Sequence, residues 1–247
     1  MLASLWPLLL FFALSVGVMV VLVRRSGQQR QQAEDSMRSA ASAQGWSFDS
    51  QDSGPMAVMR WQGTTEGTRW SLEYRRSRST RRTRHAHTHR AVWWADTFRG
   101  PASPVLFIGV QAGQENPFMK LEGNEGMLAT MAQKAAGFAL DKALDVHFGE
   151  EAGRQVDARL LKPVQAAGLT GFMVMAVDVQ QAMWMLGEGG PKWPDALASE
   201  APGQGNDRPW VLVLPRRVLL ARSTPIHTED DVRSMVREGL SLVATLT

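Results

Sequence analysis

The chain has 247 residues and no cysteine. Disulfides, a thiolate nucleophile and cysteine-ligated metal sites are therefore excluded, although this absence does not name a compartment. Tyrosine occurs once, against nine tryptophans. The signatures of familiar chemistry are missing too. There is no Gly-x-Ser-x-Gly elbow, no Walker phosphate loop, no dinucleotide fingerprint and no His-Glu-x-x-His. Two further absences are local: residues 2–23 carry no charge, and residues 75–90 carry no acid.

The first of these marks an expected anchor. Twenty-two uncharged residues at about 1.5 Å each make about 33 Å of helix, enough to cross a hydrocarbon core of about 30 Å. A helix is the form in which a lone span can pair its own backbone groups in lipid. Trp6 sits where an interfacial aromatic is expected, and Pro7 falls near the first turn. A cleaved signal peptide would need a basic n-region and a shorter apolar run. Arg24, Arg25, Arg30 and Arg38 come after the span. The positive-inside bias therefore places the rest of the chain in the cytoplasm of a cell whose inner membrane holds the span. Residues 24–45 are rich in helix formers and read as a juxtamembrane helix or linker ending at Gly45.

The second absence marks a concentration of charge. Residues 75–90 hold seven arginines: Arg75, Arg76, Arg78, Arg81, Arg82, Arg84 and Arg90. Without them the chain has 20 basic residues against 24 acidic ones, so the net charge of +3 is a local feature. Guanidinium pairs well with phosphate, so the stretch is a candidate contact for acidic lipid headgroups. A solvated loop that blocks edge pairing is the competing reading, and nucleic acid comes behind both. In the same stretch His85, His87 and His89 alternate, which on a strand puts three imidazoles on one face. A flat row cannot close a tetrahedral site without bending or a fourth ligand, so no dedicated metal site is expected. No cofactor is implied. Asp178 comes after an apolar strand and reads as a helix cap; Glu150 and Glu151 read as a helix-end or loop pair.

Hydrophobic periodicity gives an α+β fold with a mainly antiparallel sheet and amphipathic helices. Residues 46–50, 56–62 and 68–76 read as strands. In the third, Trp70, Leu72 and Tyr74 point one way, and Ser71, Glu73 and Arg75 the other. Residues 85–98 return as its hairpin partner. Residues 105–110 and 172–177 are apolar on both faces, hence central. Residues 122–148 read as a helix with Met127, Met131, Ala135 and Phe138 as its apolar face. Residues 158–165 read as a strand, 179–186 as a short helix, 187–209 as loop, and 210–214 with 218–222 as a second hairpin. Thr228 and Asp231 form a capping box for the last helix. The pattern of strands then helix appears twice, over 46–148 and 158–246, within one soluble domain of 46–247.

The motifs Gly45-Trp46, Arg60-Trp61-Gln62-Gly63, the run from Trp70 to Arg75, and Thr228-Glu229-Asp230-Asp231 resemble uncharacterised bacterial proteins with one N-terminal span and a β-rich domain of unknown function. That resemblance implies no activity and no catalytic residues. The expected function is that of a membrane-anchored, non-enzymatic domain binding a protein partner or the anionic membrane surface. The alternative is an enzyme of unrecognised type acting at the membrane.

Overall fold

A computed structural model describes residues 28, 31–53, 56–78, 87–96, 100–110, 127–165, 172–186 and 208–246. The chain forms two compact units, Met1–Phe48 and Asp49–Thr247. In the first, helix α1 covers residues 31–43. It ends in a Schellman motif. Gly45 takes a left-handed φ of 71°, its N–H donates to Ser42 O at 3.0 Å, and the Trp46 N–H donates to Ala41 O at 2.8 Å. A residue without Cβ is favoured at that turn, which is why the helix stops there. Residues 2–23, where the span is expected, lie outside the described residues. Among the described residues no helix is long and apolar enough to cross a membrane.

The second unit is α+β. Its strands are β1 (Ser47–Asp52, shared with the first unit), β2 (Met56–Thr65), β3 (Thr68–Arg78), β4 (His87–Asp96), β5 (Val105–Gly109), β6 (Lys162–Val164), β7 (Phe172–Ala176), β8 (Trp210–Leu214) and β9 (Arg217–Arg222). Its helices are α2 (Met127–Phe148), α3 (Glu150–Gly153), α4 (Val179–Leu186) and α5 (Glu229–Leu246). The strands form one nine-stranded sheet in the order β1-β2-β3-β4-β9-β8-β5-β7-β6. From β2–β3 through β6–β7, the pairings are antiparallel. The β2–β3 turn has positive φ at both Glu66 and Gly67, the conformation whose twist matches a tight hairpin.

In this order the two stretches 46–148 and 158–246 contribute to one sheet. β4 and β5 both belong to 46–148, yet they are joined only through β9 and β8, which come from 158–246. Neither half closes its sheet alone. The predicted strand over 158–165 shrinks to β6, because Asp157–Leu160 is a turn closed by the Leu160 N–H on Asp157 O at 3.0 Å.

Alternation along β4 assigns the two faces of the sheet. Val92 clusters with Leu140, Leu144 and Phe148 of α2, whereas Trp93 packs against Gly239 of α5. Successive side chains of a strand point to opposite faces, so α2 and α5 cover opposite sides. On α2 the buried stripe is Leu140, Leu144 and Phe148, at steps of four. Phe138, expected on the core face, is 72% exposed, and Ala135 is not buried with the core either. Both stripes repeat with helical spacing, and only the position of the sheet selects between them.

The final helix begins as its sequence predicts. The Asp231 N–H donates to Thr228 Oγ1 at 3.2 Å, while the backbone N–H groups of His227 and Thr228 donate to Asp231 Oδ2 at 2.9 and 2.8 Å. Burial raises the Asp231 pKa, but the two backbone donors and the Thr228 side chain outweigh it, so the carboxyl lies below its ordinary value of 3.8. Asp231→Ala should lower stability by about 1 kcal/mol, read as a shift in the urea midpoint. Because the folded pKa is depressed, this contribution is complete above the unfolded pKa and is lost as pH falls through the folded one. An alanine variant with an unchanged midpoint would refute the cap's role.

Candidate functional site

The site grows from one carboxylate on β3. Glu73 stands directly opposite Arg60 on β2, two residues before Arg75 on its own strand, and diagonal to Arg90 on β4. All four belong to the sheet face that α2 covers. Arg60 Nε donates to Glu73 Oε2 at 2.9 Å, and Arg75 Nε to Oε1 at 2.5 Å. Arg90 completes the cluster at 3.5 Å from Oε1. The Glu73 side chain is only 12% exposed. Burial pushes its pKa up, but hydrogen bonds and charge from Arg75 and Arg60 together push harder the other way, and the carboxyl lies below its ordinary value of 4.5. It is a fixed anion at neutral pH.

Arg75 and Arg90 are a directly paired cross-strand couple. Like charges in that position destabilise a hairpin unless something neutralises them. Glu73 does so in part, and Arg90 finds a second partner. Its guanidinium donates to the backbone O of Asp145, in the last turn of α2, at 3.3 Å. The same carbonyl accepts the Gly149 N–H at 3.0 Å, so Arg90 adds a second donor at the end of the helix where a cation is favourable. Burial, and then the neighbouring Arg75 charge, lower the Arg90 pKa, with Glu73 opposing. Gly149 follows at the end of α2, and its backbone conformation is what calls for glycine. Its φ of 90° and ψ of 158° belong to a region essentially reserved for glycine, and a Cβ there would lie 3.4 Å from an Arg90 nitrogen.

Beside this cluster a cleft of about 710 Å³ opens between the sheet and the α2–α3 corner. Its floor is apolar: Val92 and Trp94 of β4, Leu219 of β9, Phe148 and Ala152. Its sheet wall carries Arg75, Arg90 and Arg217 with Glu73; its helix wall carries Asp145, Glu150 and Glu151 with Lys142. The lining charges balance in number but are segregated by sign. Arg217 is held by Asp96 at 3.1 Å, and Glu150 by Arg154 at 3.2 Å.

The arginines singled out in the sequence are thus divided. Arg75 and Arg90 converge on Glu73 and line the cleft. Arg76 stands in register with His89, on the face that carries Tyr74. Arg78 pairs with His87 along the backbone; the side chains of both, and all of Arg81, Arg82, Arg84 and His85, lie outside the described residues. His89 Nδ1 is 2.7 Å from the Tyr74 hydroxyl, with the rings 6.1 Å apart and 12° from parallel. Burial raises the Tyr74 pKa. Among the described residues no group of three His, Asp or Glu side chains is arranged to hold a metal. Asp178 is a cap: its Oδ1 accepts the Gln181 N–H at 3.0 Å at the start of α4. Sequence reasoning missed Glu73 as the hub, together with the acidic wall of Glu150, Glu151 and Asp145. The signal was present in the hairpin, where two arginines face each other with one acid two residues away.

No known family, curated protein or solved structure matches this chain.

Proposed function

We propose that this chain is a single-span protein of the bacterial inner membrane whose cytoplasmic α+β domain binds an anionic surface through the β3–β4 hairpin. It groups with the single-span bacterial proteins that its motifs resemble. The observation that carries this reading is a local excess of positive charge. Glu73 is shared among three guanidiniums, and Arg76 makes no ion pair among the described residues. Four more arginines come before the strand returns, at 78, 81, 82 and 84, with no acid among them. The tether at residues 2–23 makes acidic phospholipid the nearest such surface, and an acidic protein partner the next. The alternative of an enzyme at the membrane draws on the cleft, but the depressed pKa of Glu73 suits a fixed charge and not a proton donor near neutrality.

Each arginine near an acidic bilayer contributes about 1 kcal/mol, screened over roughly 8–10 Å by salt. Three or four acting together amount to about a hundred- to thousandfold in partitioning. A fragment of residues 46–247 should therefore sediment with vesicles containing acidic lipid, release with salt, and leave neutral vesicles alone. Changing Arg78, Arg81, Arg82 and Arg84 to Ser should abolish the binding while leaving the urea midpoint unchanged. Equal binding to neutral vesicles, or binding indifferent to the four changes, would eliminate the lipid surface.

A further inference from the structure

We propose that the cleft beside Glu73 is a binding site for a phosphate-bearing ammonium zwitterion of the phosphoethanolamine class, held with an apolar portion on the cleft floor. The inference rests on the cleft alone and not on the hairpin reading. Its volume of about 710 Å³ falls within the usual range for small-ligand sites, about 300–1,000 Å³. The segregation of charge selects the ligand. The sheet wall has three cations and one carboxylate, and the helix wall three carboxylates and one cation. A simple anion would satisfy one wall and be repelled by the other. A simple cation would meet the same conflict in reverse. A ligand with both charges satisfies both.

The sheet wall fits phosphate in particular. Arg75 uses its Nε on Glu73, and Arg90 uses one terminal nitrogen on the Asp145 carbonyl and sets the other 3.5 Å from Glu73. The Arg75 bond to Glu73 runs through Nε and does not occupy the terminal nitrogens of a side chain that lines the cleft, and guanidinium forks match the several oxygens of a phosphate. Arg75 and Arg90 stand directly opposite each other, so a tetrahedral anion between them would relieve a repulsion that one shared carboxylate relieves only in part. The helix wall offers Glu151 and Asp145 to an ammonium group. Of the apolar lining, Val92 and Leu219 are almost wholly buried, and the partly exposed Trp94 is the side chain that a glycerol or acyl portion would cover.

The test uses the full chain in maltoside micelles, with binding followed by calorimetry and phosphorus NMR. The probes are free phosphoethanolamine, a short-chain phosphatidylethanolamine, and inorganic phosphate. We expect saturable binding of both ethanolamine compounds. Tighter binding of the acylated form would identify membrane lipid as the source, and tighter binding of the free compound a soluble one. Arg75→Gln should weaken both by at least about tenfold. Glu150→Gln with Glu151→Gln should weaken both but leave inorganic phosphate unaffected. Both acids lie in an outer rim helix, so this variant is expected to fold. The quadruple Arg→Ser hairpin variant should bind as the parent does. No saturable binding of either ethanolamine compound, or equal binding of inorganic phosphate with the glutamate variants silent, would overturn the proposal.

Discussion

Gly239→Ala should destabilise the protein by about 2–3 kcal/mol, although the same change inside an exposed helix normally stabilises by about 1 kcal/mol. The reversal comes from one contact. A Cβ at Gly239 would lie 2.2 Å from Trp93 Cδ2, 2.3 Å from Cε3 and 2.5 Å from Cε2. Trp93 is fully buried on β4, the fourth of nine strands in the sheet order, and cannot tilt into solvent. Either the indole leaves its place or α5 lifts off the sheet, and both lose close-packed contact. The indole Nε1 has no hydrogen-bond partner among the described residues, so shape and not polarity holds the ring there. A double-mutant cycle separates the contributions. In a Trp93→Leu background the added methyl has room, and Gly239→Ala should regain its ordinary favourable sign. The measurement is the urea midpoint of each variant by tryptophan fluorescence. If Gly239→Ala stabilises the parent, or if the cycle shows no coupling, the close approach of α5 to Trp93 is not what positions that helix.

The same pair of elements shows what could be read from the sequence. The alternation of Trp70, Leu72 and Tyr74 was legible because a strand's period is local, and all three side chains are buried as that period requires. So was the capping box at Thr228 and Asp231, which needs only four consecutive positions. The central place of β5 came from its being apolar on both faces, and it lies between β8 and β7. The pairing of β4 with β9 was not legible. Trp93 meets Leu220 across more than a hundred residues of chain, and either strand would present an acceptable edge to several partners. That one pairing joins strands from both stretches into one interleaved sheet. It also decides the cleft, whose walls come from β3, β4 and β9 on one side and α2 and α3 on the other. The wrong face chosen for α2 has the same origin. Phe138 and Leu140 each sit in an acceptable stripe, and the choice is made by a sheet that the helix sequence does not encode.

Glu73→Ala should destabilise the protein by about 2–4 kcal/mol. Removing one partner of a buried ion network costs about 3–5 kcal/mol because the remaining charges lose their compensation. Here that figure is reduced, since Arg60 and Arg75 are each 40% exposed and water screens them. Arg90 is only 20% exposed and has no such relief, because its other bond is to a helix carbonyl and not to an anion. Glu73→Gln keeps the shape and removes the charge, so it should lose most of the same stability. The pH dependence distinguishes charge from packing. The folded pKa of Glu73 lies below its unfolded value, near 4.5. Its contribution is therefore complete above that pH and is lost as pH falls through the folded value. The parent should lose stability faster than Glu73→Gln on acidification below about pH 4.5, and the two urea midpoints should converge. Parallel acid profiles, or a neutral-pH difference under about 0.5 kcal/mol, would mean that the three guanidiniums are stabilised by solvent and that Glu73 is not the centre of the site.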